Sequence, residues 1–456
     1  NSFYVGWYYQ LCLYCVEASG AACIKIMQWA GSRPDMFGRE FCAVFSKLQD
    51  STRPHSWKHT ERAMIDAFGK EWKSKIRMGQ ILGSGCIAQV YKGVIFEKDE
   101  ETGALEERPV AVKVRHPNVE DDIDADLDIM RVSIHLLENF GPVKELKWLN
   151  LPGFIEEMAV MLKTQLDLRK EGEHLVQFNK NFEGNPCVVF PKLIKGFDPT
   201  KRVLCETFCD GKPLMEFVRD NKADQKLLTN MCKEAVKAVC QMIFLDNFTH
   251  GDLHPGNVMV TDDYKFVLLD VGITTSHDEK DHRLISDVLA SFIRKDGRRA
   301  AMHMVDSSND MLKSAGDKAI DEEEFFKKIE LVTIAASGKD YFMQKLGTYI
   351  SYICDAASTH HVMLNQAFIS MALAVKVQEG IALALDPAVK TAEIAVPIIL
   401  EGERRNGRLG ERAKELLPSF DDIRYWLTGE KVIRYSVSSG DDPKGQHRVV
   451  VYKDNQ

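Results

Sequence analysis

Apolar residues recur at helical spacing early in the chain, through Phe41-Cys42-Ala43-Val44-Phe45 and again at Ala63-Met64 and Ala67-Phe68. This periodicity predicts a helical extension over residues 1 to about 79. The character then changes. Ile81 to Phe96 and Pro109 to Val114 are rich in β-branched residues and glycine, which predicts strands. Between them Glu97-Lys98-Asp99-Glu100-Glu101-Thr102-Gly103 reads as a charged hairpin tip or insertion. Helical spacing returns from about Glu120 to Phe182, and a strand pair is expected around Cys187–Phe190 and Val203–Phe208. From about Lys212 to Leu400 the pattern is mostly helical, broken by short strands at Val258–Val260 and Phe266–Asp270. A late apolar run, Arg448-Val449-Val450-Val451-Tyr452, is strand-like. No internal repeat or low-complexity tract interrupts this order. The expected divisions are a helical extension (1–79), a small β-rich lobe with an insertion (80–210), a large helical lobe (211–400) and a tail (401–456). That is a bilobal α+β plan.

Composition narrows the function more than the fold. The 456 residues carry a formal net charge of -8, which argues against nucleic acid as a partner, since tracking phosphates needs an excess of Lys and Arg. Short basic stretches at Arg294-Lys295, Arg298-Arg299 and Arg404-Arg405 read first as solvated faces or helix ends, with membrane-headgroup contact the lesser alternative. Eleven cysteines are scattered singly, without the even spacing of a disulfide framework, and a reducing compartment fits them best. The one close pair, Cys12 and Cys15, has no second pair at zinc-ligand spacing and reads as two buried helix cysteines. No run of eighteen or more apolar residues is free of charge, so no spanning helix is expected. Phe3 to Val16, rich in Tyr, Trp and Leu, suits either a membrane interface or the body of the protein. The chain opens on Asn1, without an initiator Met, which leaves room for an upstream segment removed or omitted.

The strongest chemical signal is His250-Gly251-Asp252-Leu253-His254-Pro255-Gly256-Asn257. Phosphoryl transfer needs a carboxylate to orient or deprotonate the nucleophile and an amide oxygen to help hold metal. Asp252 and, five residues later, Asn257 supply both from one loop. Eighteen residues beyond Asp252 stands Asp270, in Leu268-Leu269-Asp270-Val271-Gly272, at the end of an apolar strand where a kinase places its main Mg²⁺ ligand. The hairpin between them would return Asp270 to the side of Asn257. A capping Asp beside an ordinary hairpin is the plain alternative, and the length of the motif weighs against it. Upstream, Val110-Ala111-Val112-Lys113 has the form of the strand whose lysine meets the α- and β-phosphates. Before it, Gly83-Ser84-Gly85-Cys86-Ile87-Ala88-Gln89-Val90 is close to a glycine-rich phosphate loop. Each of these is weak alone; their order is what persuades. Nucleotide would lie between the lobes of a protein-kinase-like bilobal fold. No Ala-Pro-Glu follows Asp270, and His254 occupies the place of the catalytic-loop lysine, so peptide docking is poorly supported.

At this point the chain resembles the UbiB-type, aarF-domain-containing atypical kinases. Their N-terminal signature reads Lys, any residue, Gly, Gln, then Ser/Thr-Arg-Pro-Asp. Here Lys25-Ile26-Met27-Gln28 and Ser32-Arg33-Pro34-Asp35 match it, with Met27 in place of the glycine. A second signature, Glu-x-Asp followed by an Arg-x-Glu-like run, is matched by Gln165-Leu166-Asp167-Leu168-Arg169-Lys170-Glu171, with Gln165 in place of Glu. The resemblance covers roughly residues 20 to 400, and Gly83-Ser84-Gly85-Cys86 together with Gln165 is similar to the second-type animal branch. It implies a built-in lid in which Lys25 and Gln28 face the cleft and Asp167 joins the lid contact. Gln165 cannot form the ion pair with Lys25 that a Glu could. The resemblance further implies that Glu171 pairs Lys113, and that Gly83, Ser84, Gly85, Val90, Glu206 and Phe208 help enclose ATP. Asn257 and Asp270 would hold Mg²⁺.

Three functions remain in view. The first is an ATPase or a lipid or small-molecule kinase at the inner mitochondrial membrane that supports ubiquinone or lipid metabolism. A lipid or quinone-precursor ligand, peripheral membrane contact and ubiquinone-synthesis enzymes would be its partners. The second is a phosphotransferase of the aminoglycoside- or choline-kinase kind, whose catalytic loop His250–Asn257 also resembles. The third is a nucleotide-gated scaffold without turnover, against which the intact Asp252, Asn257 and Asp270 count.

Overall fold

The computed structural model describes residues 2–31, 41, 44–45, 48, 54–98, 105–140, 151–293, 296–315, 321–336, 380–389, 391–407, 430–436 and 447–453, with scattered positions between 352 and 371. Helix α1 (Ser2–Ser19) turns at Gly20 into α2 (Ala21–Gly31). Gly20 has φ +122°, and a Cβ there would lie 2.6 Å from Asp126 Oδ2. The same oxygen accepts the Ala22 N–H at 3.2 Å, so the glycine admits the carboxylate that caps α2. Asp126 belongs to α5 (Val119–Phe140). With α6 (Leu151–Gln165), these helices bury Leu13, Ile24, Ile123, Leu127, Ile155 and Leu162 in one cluster. Cys86 and Ile87 of the glycine turn pack into it too, so the helical extension sits directly on the turn.

Helix α1 therefore packs against the body, with Tyr8, Leu11 and Tyr14 left exposed. Among the described residues no helix is long and apolar enough to cross a membrane. The reading of Cys12 and Cys15 as two buried thiols is corrected: Cys12 is half-buried and Cys15 exposed. Three residues of helix turn by about 300°, enough to carry Cys15 past the edge of the buried face. All nine described cysteines are free thiols.

The helical stretch ends with α3 (Trp57–Phe68) and the short α4 (Trp72–Lys75), a few residues earlier than the periodicity suggested. Strand β1 (Ile76–Ser84) follows at once, then β2 (Ala88–Lys98) and β3 (Leu105–Arg115). The single run expected from Ile81 to Phe96 is thus two antiparallel strands folded at the glycine turn. Strands β2 and β3 stay paired out to Lys98 opposite Leu105; most of the charged stretch, residues 99–104, lies outside the described residues. Ala63, Met64 and Trp72 cover this sheet by packing on Tyr91, Val110, Val112 and Val203.

The other two predicted strands form but do not pair with each other. β5 (Val203–Thr207) closes the first sheet beside β3, whereas β4 (Val188–Val189) runs parallel to β9 (Phe266–Leu268). Chain proximity suggested a hairpin, but the burial of each strand against a different core decides its partner. Helix α7 (Leu168–Asn181) links the lobes, with Phe178 fully buried and stacked on Phe190 at 4.7 Å. In the larger lobe β6 (Lys212–Pro213), β8 (Val258–Val260), β9 and β4 form a small sheet under α8 (Leu214–Asp220) and α9 (Gln225–Cys240). A π-turn, Gln241–Leu245, extends α9 into β7 (Thr249–His250), which pairs with β10 (Thr274–Thr275). Helices α10 (Glu279–Ile293), α11 (Gly297–Ala315), α12 (Glu322–Ala336) and α13 (Thr391–Arg405) complete the helical body. The late strand run pairs as β12 (His447–Lys453) with β11 (Glu430–Ser436). The fold is a bilobal, kinase-like α+β architecture with a helical N-terminal extension.

Candidate active site

Strand β3 sets Lys113 opposite Val90 on one side and Leu204 on the other, with its side chain 15% exposed. Its Nζ donates to both Glu171 oxygens at 2.8 Å and to Asp270 Oδ1 at 3.1 Å. One ammonium therefore joins β3, helix α7 and the loop after β9. Burial opposes the charge on Lys113, but Asp270 and Glu171 outweigh it and hold the ammonium well above its ordinary pKa. Burial pushes the Glu171 carboxyl up, with Lys113 pulling against it. Burial would do the same to Asp270, but Lys113 and Lys25 hold its carboxyl below the ordinary carboxylate range.

Asp270 adopts φ +48°, a left-handed conformation that a non-glycine residue holds at a cost of about 1–2 kcal/mol. The bend turns its carboxylate back toward Lys113, and the Gly272 N–H lies 3.4 Å from Oδ1. A Cβ on Gly272 would stand 3.2 Å from Asp270 Oδ1, 3.6 Å from Gln165 Nε2 and 3.8 Å from Glu171 Oε2. The glycine leaves this side of the carboxylate cluster open.

The catalytic-loop segment is fixed from beneath by His250. Its Nε2–H donates to Leu269 O at 3.1 Å and its Nδ1 accepts the Asp252 N–H at 3.2 Å, which sets one neutral tautomer. Burial keeps this ring below its ordinary pKa. Asn257 Nδ2–H donates to Asp252 O at 3.0 Å, and the Leu269 N–H donates to Asn257 O at 2.9 Å. The hairpin of β8 and β9 so brings Asp252, Asn257 and Asp270 to one end of the cleft. His254 is spent on structure, since its Nδ1 accepts the Gly256 N–H at 3.1 Å and caps the turn Pro255–Asn257. Asp270 and Asn257 offer hard oxygen donors, and the Asp270 side chain is 45% exposed, so a divalent cation that keeps several waters fits this donor set.

At the back of the cleft Glu206 stands opposite Ala111, its carboxyl pushed up to about 8 by burial and by the neighbouring Glu171. Phe208 follows, with its N–H donating to Pro109 O at 3.3 Å and Lys92 Nζ 4.1 Å over its ring. Gly83 and Ser84 pair with Val90 and Gln89, and the Gly85 N–H closes the turn onto Ala88 O at 2.9 Å.

Lys25 reaches this group from α2. Burial disfavours its charge, yet Cys86, Asp252 and Asp270 reverse that and raise its pKa. The extension thus contributes a second ammonium whose charge is felt by Asp252 of the loop and by Asp270 after β9. The Gln28 side chain and residues 32–40, with the Ser-Arg-Pro-Asp run, lie outside the described residues. The second signature divides. Gln165, the last residue of α6, buries its Oε1 without a hydrogen-bond partner among the described residues, near the Asp270–Glu171 cluster. Asp167 instead caps α7, accepting from the Arg169 N–H at 3.1 Å and pairing with its guanidinium at 2.6 Å. Gln165→Glu would place a carboxylate where the orphaned oxygen lies. Its effect on nucleotide affinity is expected to be non-additive with Lys25→Ala by about 0.5–3 kcal/mol in a double-mutant cycle, and additive effects would separate the two residues.

One positioning residue escaped the motifs. His174, one turn after Glu171 on α7, donates from Nδ1 to Val271 O at 2.8 Å and accepts from the Thr274 hydroxyl at Nε2, 3.1 Å. It ties the helix that carries Glu171 to the turn that carries Asp270. The i,i+3 spacing from Glu171 is the only sequence signal that could have marked it.

A family model for the ABC1 atypical kinase-like domain matches residues 47–304. Mitochondrial ABC1 family proteins of Schizosaccharomyces pombe and Saccharomyces cerevisiae are 29% and 28% identical over 453 residues each, covering 84% and 86% of this chain and 64% and 67% of their own lengths. A "Probable protein kinase UbiB" of Histophilus somni is 29% identical over 307 residues, 65% of this chain and 54% of its own. The chain spans 64% of the first relative's length, 67% of the second's and 54% of the third's. With more than half of its residues inside the matched domain and the lysine, loop and carboxylate geometry in place, the chain belongs to the ABC1 atypical kinase-like family, the family of the UbiB kinases.

Proposed function

We propose that this chain binds Mg-ATP between its lobes and hydrolyses it or transfers its γ-phosphoryl group to a small or lipidic acceptor. The observation that carries the reading is the Lys113 ammonium, held at 2.8 Å by Glu171 and 3.1 Å by Asp270 at the mouth of the Asp252–Asn257 loop. Lys113 would meet the α- and β-phosphates, and Asp270 with Asn257 would hold the magnesium ion. When bound, that ion neutralises charge building on the phosphate oxygens. Asp252 would orient water or a hydroxyl and accept its proton, while Lys25 adds positive charge beside the same carboxylates.

The extension bears on the choice of acceptor. Helices α1 and α2 pack onto the glycine turn and deliver Lys25 to the catalytic carboxylates, so chain already covers part of the approach a peptide would use. A small or membrane-borne acceptor suits the remaining opening better. The mitochondrial names of two relatives and the UbiB name of the third support a place in mitochondrial ubiquinone or lipid metabolism.

The test is Mg-ATP hydrolysis by the purified chain, with and without anionic lipid vesicles, beside Asp252→Asn. Wild-type turnover is expected to rise with lipid, and Asp252→Asn to lose about 10²–10⁴-fold in kcat while still binding Mg-ATP. Equal turnover in the variant would remove Asp252 from the chemistry. Binding without turnover in wild type under every condition would favour the scaffold reading.

A further inference from the structure

The glycine turn is gripped from outside the cleft by a residue that belongs to none of the motifs. His116 follows β3 immediately, and its backbone N–H donates to Ile87 O at 2.9 Å. Its ring Nε2 lies 2.8 Å from Gly85 O. A carbonyl oxygen only accepts, so Nε2 carries the hydrogen. One histidine thus holds both limbs of the turn.

That assignment fixes a chain of partners. With Nε2 protonated, Nδ1 of the neutral His116 ring accepts, and His55 Nδ1, 2.7 Å away, must donate. His55 Nε2 then accepts from the Thr60 hydroxyl at 2.8 Å. Thr60 Oγ1 accepts from the Tyr91 hydroxyl at 2.7 Å, and Tyr91 accepts from Gln89 Nε2 at 2.7 Å. Gln89 Oε1 takes the His55 backbone N–H at 2.9 Å. The chain starts on β2, crosses the start of α3 and ends on the glycine turn, pointing one way throughout. Thr60 and Gln89 are wholly buried. His59 stands edge-on to His55 at 4.8 Å and donates from Nε2 to Arg115 O at 2.9 Å. Burial and the neighbouring rings push His55 down to about 4, and burial lowers His116, so the His55 and His116 rings are neutral near pH 7.

A trans peptide sets its N–H opposite its C=O. Fixing the Gly85 carbonyl therefore fixes the direction of the Cys86 amide, a backbone donor of the kind that cradles phosphate oxygens. We propose that His116, oriented by His55, is a positioning residue that holds the Gly85–Cys86 peptide ready for the triphosphate. Through His55 and Thr60 it also couples the turn to helix α3. The inference rests on the reading that this cleft binds Mg-ATP.

The test compares dissociation constants for Mg-ATP and for adenosine, which has no phosphates to meet the turn, using the full chain. His116→Phe keeps the ring volume and removes the donor; it is expected to weaken Mg-ATP by about tenfold and leave adenosine unchanged. His116→Gln, which keeps an N–H near the position of Nε2, is expected to recover most of that loss. Unchanged Mg-ATP affinity in His116→Phe, or equal losses for both ligands, would overturn the proposal. If His116→Phe does not fold, the near-isosteric Thr60→Val breaks the chain at its middle. About a threefold weakening for Mg-ATP alone is then expected, and no change would overturn the coupling. Failure of wild type to bind Mg-ATP, with adenosine bound or not, would sink the nucleotide reading and this inference with it.

Discussion

Lys113→Met is expected to destabilise the chain by about 3–5 kcal/mol as well as to abolish phosphoryl chemistry, because it strips the buried partner from Glu171. Glu171 is 5% exposed, and both its oxygens point at Lys113 Nζ. Without the ammonium it must either stay charged in a buried site beside Asp270 and Glu206 or take up a proton. The double variant Lys113→Met/Glu171→Gln removes both charges and is expected to regain much of the stability lost by the single one, while nucleotide turnover stays absent. Thermal unfolding of the pair, read beside Mg-ATP hydrolysis, separates the structural and chemical roles of one residue. A single variant that melts like wild type would mean that the Lys113–Glu171 pair contributes nothing net to the fold.

The same residue shows how far local sequence reaches. Lys113, Asp252, Asn257 and Asp270 were legible because each sits in a short pattern whose residue types the chemistry dictates, and the four occur in a fixed order. The partnership with Glu171 was legible only through likeness to a family, since 58 residues separate the two. What escaped was decided by packing across the chain. β4 and β5 look like neighbours in sequence, yet Val188 pairs with Phe266 and Val203 with Val114, because each strand finishes a different core. Ile76 to Gly79 read as the end of a helical stretch, but the burial of Ile76 against Trp72 and Tyr91 starts β1 there.

The functional histidines follow the same rule. His174 and His116 have no motif because each donates a ring N–H to one backbone carbonyl brought close by the fold. A histidine in a helix or after a strand has no pattern to distinguish it from any other polar residue. The left-handed Asp270 was hidden for a different reason. Nothing in Leu269-Asp270-Val271 demands φ +48°; the conformation goes with the Lys113 contact and with the two hydrogen bonds that anchor Leu269 just before it.

Asp270→Ala is expected to remove the magnesium-dependent part of nucleotide stabilisation. Ligand at about 100 times its dissociation constant raises the stability of a folded protein by about 2.7 kcal/mol, and Mg-ATP at that ratio should give wild type a clear upward shift in melting temperature. In Asp270→Ala the shift with Mg-ATP should fall to that seen with ATP and chelator, because Asn257 alone is a weak ligand for so strongly hydrated an ion. The pH dependence follows from the direction of the Asp270 shift. Lys113 and Lys25 overcome burial and hold its carboxyl below the ordinary range, so its native pKa is depressed relative to the unfolded chain. Its stabilising contribution is complete above the ordinary carboxylate pKa of about 3.9 and is lost only as pH falls toward the depressed native value. The magnesium-dependent shift should therefore be flat between about pH 6 and 8. A shift that survives in Asp270→Ala would move the metal to other ligands. One that fades in wild type between pH 8 and 6 would mean that a group titrating near neutrality, with Glu206 at about 8 the first candidate, governs the site instead of Asp270.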